Sequence, residues 1–270
     1  MTICTLFDIH YAPQGIALLR SVYRNEGEDA RVVVLAMCEE SAALLHAFRL
    51  PIVWTVNDLP DEYHAKAAAL PRAEQCWLAT PFLCQKVLHQ FGSCEYLDAD
   101  CFLFAPLSGV RRELQGSSIG IVPHRWDAEH ADRLRDNGTY NVGYMYWRES
   151  PLAVRSVDDW VRWSVAFPTD IARYNDQLFI EDWPKKYRAH VIKHKGVNLA
   201  PYNQRQYDIR ETENGVTVDG EPLLMYHFHE WGIGEDGEPR RGGYDLSWEV
   251  QRYIYPKYEQ EIGFALGVLA

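Results

Sequence analysis

The stretch CEYLDADCFLFAPLS, from Cys94 to Ser108, places Asp98 and Asp100 between apolar runs with a single alanine separating them. An ionised carboxylate is costly to bury unless positive charge or hydrogen-bond donors pair with it. Residues i and i+2 of an extended strand point to the same side, so both carboxylates can be directed at one point. Hard oxygen ligands of this kind suit Mg²⁺ or Mn²⁺. The alternative is a pair of solvated turn acids after a strand, which the apolar flanks disfavour.

The chain before this stretch alternates apolar, β-prone runs with amphipathic helical segments. We predict strands at Thr2–Phe7, Arg31–Met37, Pro51–Val56 and Cys94–Asp100, and helices at Pro13–Arg24, Glu40–Phe48 and Ala73–Gln90. Pro81 should break or kink the last helix. The alternation indicates an α/β fold with a parallel sheet and crossover helices. Ligands of such sheets bind beyond the carboxyl ends of the strands, where Asp98 and Asp100 lie.

The second half of the chain is less regular. We predict strands at Ser118–His124, Asn141–Trp147, Ala189–His194 and Pro222–Phe228, a hairpin tip at Asn214–Gly220, helices at Pro151–Trp163 and from Asp176, and a glycine-rich loop at Gly232–Gly243. An aromatic-rich helix should run from Asp245 to about Ile262. Its aromatic side chains are expected to pack on the fold, with contact to a membrane surface or a partner as the alternative. The predicted division is one domain over residues 1–243 and this helix over 244–270.

Composition narrows the class of protein. The chain has 270 residues, and 47% of them are hydrophobic, which is enough for a sizeable core. With 27 basic and 38 acidic residues the net charge is −11, so binding of nucleic acid is not expected. The six cysteines form no C-x-x-C pair and are expected to be reduced. The first residues lack the basic segment of a signal peptide. We therefore expect a cytoplasmic protein, with the inner face of the membrane as the alternative.

Six segments together resemble a known family of enzymes. YLDAD resembles the D-x-D motif of nucleotide-sugar glycosyltransferases with the GT-A fold, and the other five resemble motifs of glycosyltransferase family 8, which includes glycogenin and bacterial lipopolysaccharide galactosyl- and glucosyltransferases. They occur in the family's order: FDIHYAPQGIALLRSV (Phe7–Val22), YNVGYMYW (Tyr140–Trp147), NDQLFI (Asn175–Ile180), NLAPYN (Asn198–Asn203) and YHFHEWG (Tyr226–Gly232). The resemblance implies a Rossmann-like mixed sheet flanked by helices, in a single domain with a C-terminal helical extension.

The resemblance also implies how a nucleotide and a metal ion are held. Asp8 and Tyr11 match the residues that bind uracil, the tyrosine by stacking, and Asp98 is expected to contact the nucleotide as well. Mn²⁺ or Mg²⁺ would be held against the donor diphosphate by Asp98, Asp100 and His227. His229 is the alternative third ligand, because it lies two residues further along the same strand-like run.

The residues expected at the reacting sugar are Asn141, Asp176 and Gln177. Asn141 matches the asparagine that faces the donor sugar, and Gln177 matches a residue beside the anomeric carbon. The family relation implies retention of configuration; an inverting enzyme would need a general base, for which Asp176 or Glu230 could serve. In a purely structural role, Asn141 would cap a turn and Asp176 would sit favourably at a helix N-terminus.

The chain departs from the family pattern at the phosphate contacts. Glu230 stands where the family has a glycine, and Ile233 stands where it has a diphosphate-binding lysine. Candidates to replace that lysine are Arg240, Arg241 and the backbone amides of Gly232 and Gly234. The family's arginine on the helix before the D-x-D motif is out of register, and the nearest cations are Arg72 and Lys86.

The predicted function is transfer of a hexose from a UDP-sugar to a glycan, a lipid-linked glycan or a protein. One alternative is a non-catalytic relative that binds nucleotide sugars or carbohydrates. A second is a phosphatase of the haloacid dehalogenase type, whose motif also contains D-x-D. That motif needs threonine or valine two residues after the second aspartate, where this chain has Phe102, and it belongs to the first strand rather than the fourth.

Overall fold

The computed structural model describes residues 1–48, 51–167, 176–234 and 236–269. The strands are β1 (Thr2–Phe7), β2 (Arg31–Ala36), β3 (Ile52–Thr55), β4 (Ser93–Leu97), β5 (Cys101–Leu103), β6 (Ile119–Pro123), β7 (Tyr140–Arg148), β8 (His190–Val191), β9 (Ile209–Thr212), β10 (Gly215–Val218), β11 (Glu221–Pro222), β12 (Met225–His227), β13 (Gly232–Ile233) and β14 (Pro239–Arg240).

The α-helices are α1 (Ala12–Glu26), α2 (Glu39–Phe48), α3 (Asp61–Ala67), α4 (Arg72–Phe91), α5 (Ser108–Glu113), α6 (Leu134–Asn137), α7 (Pro151–Ala166), α8 (Trp183–Lys186) and α9 (Tyr255–Leu269). Short 3₁₀ turns lie at Ile9–Tyr11, Val56–Asp58, Ala131–Arg133, Asp176–Ile180 and Gln204–Gln206, and Val250–Ile254 is a π-helical turn. None of the helices in the described ranges is long and apolar enough to cross a membrane.

A seven-stranded mixed sheet forms the centre of the molecule, in the order β3-β2-β1-β4-β7-β6-β8. β1, β2, β3 and β4 run parallel, whereas β7 is antiparallel to both of its neighbours, β4 and β6. The carboxyl ends of β1 and β4 therefore lie at the same edge, which holds Asp8 and Asp98. The predicted mixed sheet flanked by helices is confirmed.

Both faces of the sheet are covered, which explains why its strands are apolar at almost every position. On β2, Val33 packs in the same core as Phe82 of α4 and Trp160 of α7. The next residue, Val34, packs in the opposite core with Leu18 of α1. Alternate residues of one strand thus pack in two separate hydrophobic layers, one on each face of the sheet.

α4 runs through Pro81 without a break, so the predicted break is wrong, and the kink given as its alternative stays a prediction. A proline inside a helix removes one backbone hydrogen bond and costs about 3 kcal/mol. The buried face of α4 includes Leu78, Phe82, Leu83 and Val87. Burying each large side chain contributes about 1.5–3 kcal/mol, so packing outweighs the lost hydrogen bond.

The predicted hairpin tip at Asn214–Gly220 is also wrong, because β10 runs through the middle of this segment. β10 pairs with β9 on one side and β11 on the other. The segment contains two turn signals, one at each end of the strand, and Gly215, Asp219 and Gly220 all have positive φ. The Asn214–Gly215 turn joins β9 to β10, and the Asp219–Gly220 turn joins β10 to β11, so the two turn signals belong to different turns.

The C-terminal segment packs against the sheet domain. The expected helix over 245–262 begins later, at Trp248, passes through the π-helical turn at Val250–Ile254 and continues as α9 to Leu269. Tyr258 is fully buried, and its ring stacks on Phe228 with 3.7 Å between ring centroids. Trp248 is 63% exposed. The packing expected for the aromatic residues thus holds for Tyr258 but not for Trp248, and the domain division at residue 244 stays a prediction.

All six cysteines lie in the described residues, and none forms a disulfide. Cys4, Cys84 and Cys94 meet between β1, β4 and α4, with sulfur atoms within 4.8 Å of one another. Burial raises the pKa of the Cys84 and Cys94 thiols well above the usual range. Small buried thiols of this kind behave as apolar core residues.

A buried ion network joins the sheet to two helices. Glu95 of β4 is completely buried, and both of its carboxylate oxygens accept hydrogen bonds from Arg111 of α5, at 2.9 Å and 2.5 Å. Arg111 also donates to Glu26 of α1 at 2.5 Å, and Tyr144 donates to Glu95 at 3.0 Å. Each charged side chain in this network therefore contacts a side chain of opposite charge.

Replacing Arg111 should destabilise the fold, because it leaves Glu95 as a buried charge without a cation. We expect Arg111→Met to lower the free energy of unfolding by about 3–5 kcal/mol in urea denaturation. Arg112→Met, at the exposed neighbouring position, is the control and should have little effect. The double variant Glu95→Leu, Arg111→Met should recover most of the loss. Equal stabilities of the single and double variants would contradict this account of the network.

Candidate active site

Asp98 and Asp100 lie in a turn between β4 and β5 rather than on a strand. The predicted strand to Asp100 ends at Leu97, and the N–H of Cys101 donates to the carbonyl oxygen of Asp98 at 3.0 Å to close the turn. β5 then leaves the central sheet and pairs with β12, in a register that puts His227 opposite Cys101. This pairing brings a histidine from near the end of the chain to the two aspartates.

The three predicted metal ligands converge. The Nε2 atom of His227 lies 3.2 Å from Oδ1 of Asp100 and 3.8 Å from Oδ2 of Asp98. The His227 side chain is only 3% exposed, whereas that of Asp98 is 32% exposed. The cluster therefore has a buried nitrogen donor and a solvent-facing carboxylate, so an ion held there could contact a ligand in the cleft.

Electrostatics couples the three side chains. Burial by itself would lower the pKa of His227, but the carboxylates of Asp100 and Asp98 outweigh it and raise that pKa. Burial opposes ionisation of Asp100 too, yet the charge and hydrogen bond of His227 lower its pKa. Partial removal from water raises the pKa of Asp98 in spite of His227, and Asp100 adds to the rise. A proton on His227 and a divalent cation would thus satisfy the same negative charge.

A second set of contacts orients the donor atoms. Nδ1 of His227 lies 3.2 Å from Oδ1 of Asn198, which accepts the Nδ1 proton, so an ion between the aspartates could replace the Nε2 proton and bind the Nε2 lone pair. Asn198 has φ of +59°, a left-handed conformation that asparagine adopts more readily than most residues. Tyr96 donates to Oδ1 of Asp98 at 2.7 Å. Two carboxylates and an oriented imidazole suit Mn²⁺ or Mg²⁺.

Two neighbouring side chains fit a ligand role less well. His229 is occupied by Tyr244, whose hydroxyl lies 2.9 Å from Nδ1, and burial lowers the His229 pKa to about 4. The thiol of Cys101 also lies close to Asp100 and His227. Burial raises the pKa of Cys101 well above its usual range, so it stays a neutral thiol. The geometry pairs His227, rather than His229, with the two aspartates.

The predicted nucleotide residues lie at the carboxyl end of β1. Oδ1 of Asp8 accepts the backbone N–H groups of His10 at 3.0 Å and Tyr11 at 3.2 Å, which caps the 3₁₀ turn. Oδ2 accepts a hydrogen bond from Nε of Arg72 at 3.2 Å. The Tyr11 ring is half-exposed, and partial burial, with the charges of Asp100 and Asp98, raises its pKa to about 12. Tyr11 therefore lies at the protein surface, near Asp98 and Asp100.

The cations considered for the diphosphate have other partners. Lys86 donates to the carbonyl oxygen of Asp58 at 2.7 Å, and Arg72 is taken by Asp8. In the loop after β12, Arg240 pairs with Asp236 at 2.5 Å, and Arg241 pairs with Glu259 at 2.7 Å. The remaining loop candidates are backbone amides: Gly234 donates to Glu238 at 2.8 Å, and Gly232 pairs with Arg240 between β13 and β14.

Asn141 and Gln177, both expected at the sugar, are in direct contact. Nδ2 of Asn141 donates to Oε1 of Gln177 at 2.8 Å, and Oδ1 of Asn141 accepts the N–H of Gly143 at 2.8 Å. The side chain of Asp176 lies outside the described residues. A Cβ atom on Gly143 would come within 2.5 Å of Asn141 Oδ1 and 2.7 Å of His227 Nδ1. Gly143 therefore lets the predicted sugar-binding residue Asn141 and the predicted metal ligand His227 lie close together.

Sequence reasoning missed several residues that organise the site. Asn198 lies in the NLAPYN segment but was not singled out, and Gly143 lies in the YNVGYMYW segment. Tyr96 lies in the YLDAD segment, two residues before Asp98. His124 belongs to no spacing pattern typical of a ligand, and its contact with Asn141 joins elements that are distant in sequence.

Comparison with known proteins gives few sequence relatives. No protein-family model matches the chain. YfnD of Bacillus subtilis (strain 168) is 26% identical over 184 residues, which cover 65% of this chain and 58% of that protein, less than two thirds of its length. YfnF of the same organism is 23% identical over 251 residues, 85% of this chain and 81% of that protein. Both are uncharacterised proteins and add nothing about function.

Similar solved structures are glycosyltransferases. The galactosyltransferase LgtC, in complex with donor and acceptor sugar analogues, has a TM-score of 0.63 and 16% identity, over 98% of this chain and 96% of that one. Mouse xyloside xylosyltransferase 1 has a TM-score of 0.53 and 15% identity, over 85% of this chain and 98% of that one. The present chain thus has the GT-A fold of glycosyltransferases.

Removing Asp100's charge should lower the pKa of His227. In Asp100→Asn, burial would dominate the His227 pKa, because the nearest remaining carboxylate is that of Asp98 at 3.8 Å. Proton NMR titration of His227 with chelator present measures the change. Asp208→Asn, at an exposed position, is the control and should leave the His227 pKa where it is. An unchanged or higher pKa in Asp100→Asn would refute the coupling.

Proposed function

We propose that this chain is a metal-dependent glycosyltransferase that moves a hexose from a UDP-sugar to a hydroxyl group of a glycan, a lipid-linked glycan or a protein, with retention of configuration. The observation that carries the proposal is the convergence of Asp98, Asp100 and the Asn198-oriented His227 at the carboxyl edge of a GT-A sheet. The reduced cysteines support a cytoplasmic location, either free or at the inner face of the membrane.

Asp98, Asp100 and His227 would hold Mn²⁺ or Mg²⁺, which when bound stabilises the negative charge that develops on the leaving diphosphate. Asn198 keeps Nε2 of His227 available as a donor atom. Asp98 is the most exposed of the three side chains, which suits a residue that also contacts the nucleotide. His229 remains the alternative third ligand, although its Nδ1 is taken by Tyr244.

The nucleotide would bind on the turn after β1. Tyr11 would stack on the uracil ring. Asp8 already accepts two backbone N–H groups, but its carboxylate has further lone pairs, and one of these would accept the N–H of the base. The same backbone contacts hold the turn that presents Tyr11. Arg72, paired with Asp8, holds that carboxylate in place.

The donor sugar would lie against Asn141 and Gln177, with Asp176 on the same 3₁₀ turn as Gln177. Their amide groups both donate and accept hydrogen bonds, which suits sugar hydroxyl groups. Neither amide can act as a strong base, so the pair supports recognition of the donor and of an oxocarbenium-like transition state rather than proton abstraction. Retention of configuration is what the resemblance to glycosyltransferase family 8 implies. For inversion, the candidate bases are Asp176 and Glu230, and Glu230 lies 3.8 Å from Arg133.

A screen of nucleotide sugars with Mn²⁺ tests the proposal, with UDP release as the readout. We expect release from one or more UDP-sugars that stops on chelation and is at least tenfold slower in Asp100→Asn, while Asp208→Asn behaves as the native chain. Binding of UDP without turnover of any donor would favour a non-catalytic binding protein. Release of phosphate from simple phosphomonoesters would favour a phosphatase.

Tyr11 should contribute to nucleotide affinity through stacking. Stacking of a base on an aromatic ring is worth about 1–3 kcal/mol, so Tyr11→Ala should weaken UDP binding by about ten- to a hundredfold in calorimetry with Mn²⁺. Tyr253→Ala, a partly exposed tyrosine near Trp248, is the matched control. Tighter binding of GDP than UDP, or equal UDP affinity in both variants, would overturn the assignment of Tyr11.

A further inference from the structure

His124 is a buried histidine that follows β6 and touches the predicted sugar site. Its ring packs in a small aromatic cluster: the Trp126 ring stacks on it at 4.3 Å between centroids, and the Tyr202 ring makes a T-shaped contact at 5.5 Å. The residue is 2% exposed, so it is shielded from solvent. Its Nε2 atom lies 3.2 Å from Nδ2 of Asn141.

The orientation of the Asn141 amide can be deduced from a backbone contact. The N–H of Gly143 can only donate, so the Asn141 atom that it meets at 2.8 Å must be the oxygen. The NH₂ group of Asn141 then lies at the other end of the amide. Its two hydrogens are directed to Oε1 of Gln177 at 2.8 Å and to Nε2 of His124 at 3.2 Å.

This orientation determines the protonation of His124. An atom that receives an N–H must be an acceptor, so Nε2 is unprotonated and the ring proton sits on Nδ1. Nδ1 makes no full hydrogen bond among the described residues, although the backbone of Thr139 and Gly138 lies near it. Burial, followed by the charges of His227 and His229, lowers the pKa of His124 to about 3. The imidazole is therefore neutral throughout the physiological range.

The opposite arrangement would be unfavourable. If Nε2 carried the proton, it would face the NH₂ group of Asn141, donor against donor. If the Asn141 amide turned over, its oxygen would face Oε1 of Gln177, and its NH₂ would face the Gly143 N–H. Oε1 of Gln177 also lies 3.4 Å from the N–H of Val142, which is again a donor. The backbone N–H groups of Gly143 and Val142 and the Nδ1-protonated tautomer of His124 thus favour the same orientation of both amides.

We propose that His124 is a positioning residue that holds the amides of Asn141 and Gln177 in a single orientation by accepting a hydrogen bond at Nε2. The inference rests on the proposed function insofar as these amides contact the donor sugar. The tautomer and the amide orientations follow from the geometry alone, so they can be tested separately from the reaction.

The first test is NMR of the full chain labelled with ¹⁵N-histidine, with no substrate present. The proposal requires His124 to show a protonated Nδ1 and an unprotonated Nε2, unchanged between about pH 6 and pH 8. A protonated Nε2, or a ring that titrates in this range, overturns it. This readout does not depend on catalysis, so it keeps its meaning if no transferase activity is found.

The second test compares His124→Gln with His124→Leu. Glutamine retains an oxygen that can accept from Asn141, whereas leucine retains apolar contact with Trp126 but no acceptor. For a positioning role we expect His124→Leu to lower kcat by about ten- to a hundredfold with little change in donor KM, and His124→Gln to recover most of it. The exposed His64→Leu is the control.

A purely structural role makes the reverse prediction: His124→Leu keeps kcat and thermal stability, and His124→Gln, which buries a polar group, loses both. Side-chain amide resonances of Asn141 and Gln177 provide a readout for the same variants if turnover cannot be measured. They should shift or broaden in His124→Leu and stay close to native in His124→Gln. Native-like amide resonances in the leucine variant would overturn the proposal.

Discussion

The candidate site depends on one short backbone pairing, the antiparallel contact of β5 with β12. It places His227 opposite Cys101, one residue after Asp100. The N–H of Phe228 extends the contact by donating to the carbonyl oxygen of Asp100 at 2.9 Å. Tyr258 of α9 stacks on the Phe228 ring at 3.7 Å. α9 therefore packs on the residue next to His227, and this contact stabilises the position of His227 beside Asp98 and Asp100.

Charge balance is the second constraint at this point. His227 lies within 4 Å of both carboxylates, and the pKa values of the three side chains move in different directions as a result. Space is equally limited, since Gly143 has room for no side chain between Asn141 and His227. The carbonyl oxygen of Gly143 also accepts the N–H of Asp98 at 3.2 Å. A single glycine on β7 thus joins the carboxylate cluster to the amide pair that faces the expected sugar position.

Much of the fold and part of the site could be predicted from local sequence. The apolar runs of β1, β2 and β4 and the helical spacing of α1 require only the periodicity of side chains along the backbone. The same reasoning put Asp98 at the carboxyl edge of the parallel sheet, whereas Asp8 was assigned through the family resemblance. Pro81 was misjudged because its local cost was weighed without the buried face of α4. The turn signal at Asp219–Gly220 was misassigned because a turn motif does not state which strands it joins.

The sequence by itself determined the type of fold and the D-x-D acids, since each depends on neighbours along the chain, whereas Tyr11 was assigned only through the family resemblance. Only the tertiary structure decided which side chains meet. β5 and β12 are three residues each, too short to be recognised by pattern, and their pairing is stabilised by Phe228 and Tyr258 from elsewhere in the chain. Arg72 contacts Asp8, and His124 contacts Asn141, across gaps that no local rule spans. Such contacts are set by the packing of whole layers, because a side chain's partner depends on where every intervening element lies.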